Sequence, residues 1–134
     1  MEKREGADRF VRVWQRAWTA HDVDALLELY AEGCVHRSMP FREPHRGRAA
    51  LAEYLRWSFA GERVTEVRFS APVVGEDGVA VAEFRVLTEE DSVPSTLAGC
   101  VFVRFDAAGL AVETRDYWHT VEGHREPEGA LFFG

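Results

Sequence analysis

The stretch Val79-Ala80-Val81-Ala82-Glu83-Phe84-Arg85-Val86-Leu87-Thr88 decides the fold. Ala80, Ala82, Phe84 and Val86 share one apolar face while Glu83 and Arg85 share the other. A period of two with one apolar face is a strand lying on a core. The period continues on both sides and predicts strands over 64–74, 79–88, 96–105 and 110–121, all antiparallel. Glu76-Asp77-Gly78 predicts a tight hairpin turn between the first two, and Asp106-Ala107-Ala108-Gly109 another between the last two. The polar stretch 89–95 reads as a longer connection.

Upstream the period changes to that of a helix. Phe10, Trp14, Ala17 and Trp18 predict an amphipathic helix over about 7–20. His21 and Asp22 break it. Asp22 or Asp24 can cap a second helix that carries Leu26, Leu27 and Tyr30 and ends at Gly33. A short strand over 34–38 follows, then a loop over 39–47 containing Pro40 and Pro44. Leu51, Tyr54, Leu55 and Phe59 mark a third helix, stopped by Gly61. Three helices packed on a curved, mostly antiparallel sheet make an α+β cone whose internal cavity admits a small apolar molecule. The segment 122–134 reads as a tail ending in Leu131-Phe132-Phe133, expected to dock at the pocket mouth or on a partner subunit.

Composition narrows the chemistry. The 134 residues carry 16 basic and 23 acidic side chains and a net charge of -7, with 46% hydrophobic residues, enough for a single folded domain. Lys3 is the sole lysine, which argues against Schiff-base or pyridoxal phosphate chemistry. Scattered arginines in an acidic chain leave no electrostatic footprint for nucleic acid. The charged opening MEKREGADRF is not followed by an apolar run, so no secretory signal is expected, and no stretch is apolar enough to suit a membrane. Cys34 and Cys100 are too few for a disulfide framework. A cytoplasmic location is the expectation. Metal-ligand spacing and a glycine-rich phosphate loop are both missing from the sequence, so no metal and no cofactor are expected.

The order of elements, together with His36-Arg37-Ser38-Met39-Pro40, Arg46-Gly47-Arg48 and Arg115-Asp116-Tyr117-Trp118, resembles the nuclear transport factor 2-like superfamily over about residues 7 to 121. Within it the nearest groups are the SnoaL-like polyketide cyclases and the limonene-epoxide-hydrolase-like proteins. The resemblance implies an acid/base aspartate at Asp116. It sets His36 and Ser38 where the hydrolases hold a water with a tyrosine and an asparagine. The arginine and aspartate that complete the hydrolases' charged triad correspond to Phe84 and Val86, or to Glu83 and Arg85 after a one-residue shift. Neither pair reproduces the triad, which favours cyclisation or isomerisation over epoxide opening.

The residues themselves leave alternatives. Val112, Thr114, Asp116 and Trp118 share the more apolar face of the last strand, so Asp116 is expected inside, where desolvation raises its proton affinity into the range of a general acid or base. A buried carboxylate that only ties down a nearby N–H is the other reading. His36 and Ser38 share a face with Cys34 and suit the orientation of a water or substrate oxygen; both could equally brace the following loop. Trp18, Trp118, Phe84, Val86 and Tyr30 are the candidate cavity lining, core packing being the alternative. Glu83 and Arg85 are expected to point outward, as a solvated or interface pair. With Arg115, Tyr117 and His119 they make the convex sheet face the expected contact of a homodimer. Two functions from different classes therefore stand at this level: a cofactor-free enzyme using Asp116 on an apolar substrate, and a ligand-binding or accessory domain without turnover.

Overall fold

The computed structural model describes residues 1–126. The Leu131-Phe132-Phe133 tail lies outside them. The elements run α1 Lys3–Ala20, α2 Val23–Leu27, β1 Tyr30–Ser38, β2 His45–Arg46, α3 Gly47–Phe59, β3 Val64–Phe69, β4 Val73–Val74, β5 Ala80–Glu90, β6 Val93–Phe105 and β7 Ala111–Glu122. Three helices pack on a mixed, open, curved sheet of order β2-β1-β7-β6-β5-β3, with β4 paired to β5.

The amphipathic stripe of α1 buries Phe10 and Ala17 against the sheet, and α1 ends where His21 takes a left-handed φ of 53°. Asp22 then caps α2, its side chain accepting the Ala25 N–H at 3.1 Å. This second helix stops at Leu27, before Tyr30. Tyr30 instead opens β1, because the β7 ladder claims the backbone there: the Ala111 N–H donates to the Leu29 carbonyl at 2.8 Å. Gly33 lies inside this strand, within the register shift between Tyr30 and Val35.

The four long strands pair antiparallel as expected, and β1, whose direction the sequence left open, runs parallel to β7. Three further departures from the sequence reading have local causes. The stretch over 64–74 is divided into β3 and β4 by Ser70-Ala71-Pro72, since proline has no N–H to give a ladder. The 39–47 loop contains β2, which pairs with β1 at His36↔His45. The connection over 89–95 is a two-residue hairpin, with Asp91 at φ 50° and Ser92 at φ 65° and pairing maintained to Glu90↔Val93. Two successive left-handed residues match the twist of the flanking strands.

Ala80, Ala82, Phe84 and Val86 are buried beneath the helices, and Glu83 is exposed on the opposite face. Arg85 faces that convex side too, yet it is only 1% exposed. It is not paired with Glu83. Its Nη2 donates to Glu66 Oε2 at 3.2 Å, and its Nη1 meets Glu126 and the Arg125 carbonyl. Residues 123–126 lie across this corner, held by the Thr96 hydroxyl donating to the Gly123 carbonyl at 2.6 Å and by the Arg125 N–H donating back to Thr96 Oγ1 at 2.9 Å. A strand-period argument assigns a face, but not what the chain later lays over it.

Gly99 sits opposite Trp118 on the concave face of the β6–β7 ladder. A Cβ added there would lie 2.7 Å from Trp118 Cα and press on the Tyr117 carbonyl. Gly99→Ala is expected to cost about 1–3 kcal/mol. Urea unfolding would measure the loss, and a change in tryptophan emission would report displacement of Trp118.

Candidate active site

Helices and curved sheet enclose a cavity of about 440 Å³. Its aromatic wall is built by periodicity on several elements. Phe10, Trp14 and Trp18 come from α1, and Tyr54 and Phe59 from α3. Phe69, Phe84 and Trp118 complete it from the sheet. Trp18 packs at 5.6 Å from Phe84 and 5.5 Å from Trp14, measured between ring centroids, so the wall is a continuous run of tilted and edge-on ring contacts.

The parallel β1–β7 ladder brings the polar residues together. Its register sets His36 beside Thr114 and Ser38 beside Asp116. Side chains of laterally paired residues point to the same face, so all four converge on the concave side. Asp116 opens into the cavity and is half-buried, its side chain 19% exposed rather than fully enclosed. Its Oδ1 is buried without a hydrogen-bond partner among the described residues. Burial pushes its carboxyl from 3.8 up to about 6, with the Ser38 hydroxyl, the Trp118 indole and the Arg42 charge pulling the other way.

His36 is 4% exposed and also lines the cavity. Burial, together with nearby His45, lowers its imidazole from 6.5 to about 4. Its Nε2 lies 3.6 Å from Asp116 Oδ2. This contact would be an ion pair only with a charged imidazole, and at neutral pH the ring is neutral. In water an imidazole takes a proton from a carboxylic acid; here burial inverts the order, and Asp116 holds a proton at a pH where His36 does not.

A short polar chain fixes the imidazole. Trp14 Nε1 donates to the Tyr30 hydroxyl at 3.2 Å, Tyr30 is hydrogen-bonded to Thr114, and Thr114 Oγ1 lies 2.7 Å from His36 Nδ1. Thr114 Oγ1 thus holds the ring through Nδ1 and turns Nε2 toward Asp116. Tyr30 is itself 2% exposed, and burial raises its phenol well above the ordinary value, so it stays protonated. Thr114→Val removes the partner of His36 Nδ1 and is expected to shift the tautomer balance of the ring, which side-chain ¹⁵N NMR would detect as a changed protonation pattern of its two nitrogens.

Trp18, Phe84, Trp118 and Tyr30 reach the cavity wall. Val86 does not. It is 0% exposed and packed in the core cluster. Ser38 is 2% exposed and lies behind the wall, where its hydroxyl accepts from Trp118 Nε1 at 3.1 Å and so orients the indole next to Asp116. Arg42 sits with its guanidinium carbon 5.4 Å from the Trp118 ring centroid, and His45 stacks on Tyr54 at 4.3 Å beside His36. Tyr54 could be read from the sequence as a hydroxyl for a bound oxyanion, with core packing preferred, and it lines the cavity. The places of Thr114, Arg42 and His45 were not visible in the sequence, and of these Thr114 alone had a signal, two residues before Asp116 on the same strand face.

The sequence profile described as "SnoaL-like domain" matches residues 7–114, a stretch that ends just short of Asp116. No curated protein sequence matches the chain significantly. Among solved structures, the epoxide hydrolase/cyclase-like enzyme SalBIII, described in pyran ring formation in polyether salinomycin, is 18% identical over 89% of this chain and 95% of its own, with a TM-score of 0.76. RV0760c from Mycobacterium tuberculosis, in complex with estradiol-17beta-hemisuccinate, is 20% identical over 87% of this chain and 98% of its own, with a TM-score of 0.73. A computationally designed 17-OHP binder is 21% identical over 88% of this chain and 98% of its own, with a TM-score of 0.74. At these identities the likeness is one of fold.

Proposed function

The chain belongs to the SnoaL-like domain family, and on that premise we propose that it is a cytoplasmic, cofactor-free acid/base enzyme that isomerises or cyclises a small apolar carbonyl compound. The observation that carries this reading is the Asp116 carboxyl in the cavity wall, its side chain 19% exposed and its proton affinity raised by burial to about 6. A carboxyl with a raised proton affinity in a cavity is the mark of an acid/base group. Near neutral pH such a group takes a proton from carbon and returns it elsewhere on the substrate.

His36 supplies the complementary half. Its Nε2–H polarises the substrate oxygen, and a 3.6 Å gap to Asp116 Oδ2 leaves that donor free to do so. A neutral imidazole fits this task because it does not remove the Asp116 charge by pairing with it. Phe84, in place of a second charged side chain, keeps the reacting carbon in an apolar setting. This favours proton shuttling over water-driven epoxide opening. Steroid-related ligands in RV0760c and the designed binder, and cyclase-like chemistry in SalBIII, are compatible neighbours of this reading. On the convex face, the exposed apolar side chains of Phe102 and Val121 support pairing of two copies.

The second reading, ligand binding without turnover, is favoured by the aromatic wall taken alone. Deuterium exchange at the α-carbon of a panel of apolar bicyclic and tricyclic ketones separates the two. Exchange catalysed by the wild type and lost in Asp116→Asn supports the enzyme. Binding of the panel with no catalysed exchange leaves the binding domain.

A further inference from the structure

The cavity has a second polar pole that the acid/base chemistry does not use. Glu62, between α3 and β3, contributes to the wall and has a side chain only 13% exposed. Its Oε1 accepts from Trp18 Nε1 at 3.0 Å and lies 3.1 Å from His21 Nε2. His21 is held for this contact by stacking on Phe59 at 4.5 Å with 6° between the rings. Oε2 takes no hydrogen bond among the described residues and is not occluded. No arginine or lysine ion pair to Glu62 occurs among the described residues, and His21 is charged only once protonated.

The surroundings of this carboxylate are ring faces. Trp18 is 6.5 Å from Phe59 and 6.4 Å from Phe69, both of which line the cavity with it. A low-exposure carboxylate without a fixed cation, walled by aromatic faces, is the environment that an organic ammonium group prefers. Asp116 is on β7 and Glu62 leads into β3, so two strands, β6 and β5, lie between them. Three strand spacings amount to about 14 Å along the sheet, less across its curve. A fused-ring ligand can therefore touch both poles at once.

We propose that Glu62, with Trp18 and His21, forms a distal subsite that selects substrates carrying a protonated aliphatic amine at the end remote from the reacting carbonyl. This rests on the acid/base reading only for which end reacts; the selection itself is a property of binding. The subsite orients the substrate lengthwise, so that the carbonyl end meets His36 and Asp116.

The test uses three decalones that differ only in a distal aminomethyl, hydroxymethyl or methyl group, with dissociation constants from quenching of tryptophan fluorescence. The aminomethyl compound is expected to bind about tenfold more tightly than the methyl compound. Glu62→Gln, which keeps the acceptor for Trp18 but removes the charge, is expected to erase that preference. Equal binding of all three to the wild type would overturn the proposal, as would an amine preference that survives Glu62→Gln. A preference for the hydroxymethyl compound over the amine would also overturn it, by showing a neutral site. Since these constants need no turnover, they separate failure of the subsite from failure of Asp116 as the acid/base, which the α-carbon exchange in Asp116→Asn reports.

Discussion

Asp116→Asn is expected to lower α-carbon exchange by about 10²–10⁴-fold while leaving ketone affinity nearly unchanged. The substitution preserves the shape of the side chain and removes the group that takes the proton. It also relieves a cost. The carboxyl titrates from 3.8 when unfolded to about 6 when folded, so its contribution to stability is fully present below pH 3.8 and is lost as the pH rises through 6. The difference is about 3 kcal/mol. At pH 8 the asparagine variant is therefore expected to be more stable than the wild type, by up to about 3 kcal/mol, as denaturant unfolding would show. A less active and less stable variant would mean that Asp116 holds the fold together instead of serving chemistry.

The second large effect appears only when the site is divided. His36 shifts in the opposite sense, from 6.5 down to about 4, so its stabilising contribution is present above pH 6.5 and is lost as the pH falls through 4. That loss is about 3 kcal/mol, close to what protonation of Asp116 returns over nearly the same window. His45, also lowered by burial, adds in the direction of His36. In the wild type the two main contributions offset each other, and stability is expected to change little from pH 6.5 to pH 4 on their account. Asp116→Asn leaves His36 uncompensated, and its stability should fall by about 3 kcal/mol across that range. His36→Gln leaves Asp116 uncompensated and should become more stable on acidification by a similar amount. Unfolding curves at pH 4 and pH 7 for the three proteins measure this. Parallel behaviour of both variants would refute the inverted order of proton affinities.

Much of the fold was legible because its elements obey local periods. The stripe Phe10, Trp14, Ala17 and Trp18 and the alternation through Ala80, Ala82, Phe84 and Val86 each pick out a buried face without reference to the rest of the chain. Where the reading failed, something distant had the last word. Tyr30 continues the spacing of Leu26 and Leu27, yet the β7 ladder takes it into a strand. Arg85 alternates outward as expected and is then covered by residues 123–126. The polar stretch 89–95 carried no glycine turn signal, and Asp91 and Ser92 adopt the left-handed hairpin turn themselves.

The candidate site divides in the same way. The sequence by itself determined which residue types are at hand and which faces they occupy: an aspartate and a threonine two apart on one strand, a histidine and a serine two apart on another, and rings enough to wall a cavity. Only the tertiary structure decided that these two strands lie side by side and parallel, in a register that pairs His36 with Thr114 and Ser38 with Asp116. It also decided that Val86 fills the core and that Glu62 joins the cavity from a loop. The physical reason is that periodicity reports one element's burial, whereas register and the desolvation that reverses the proton affinities of Asp116 and His36 are properties of the assembled whole.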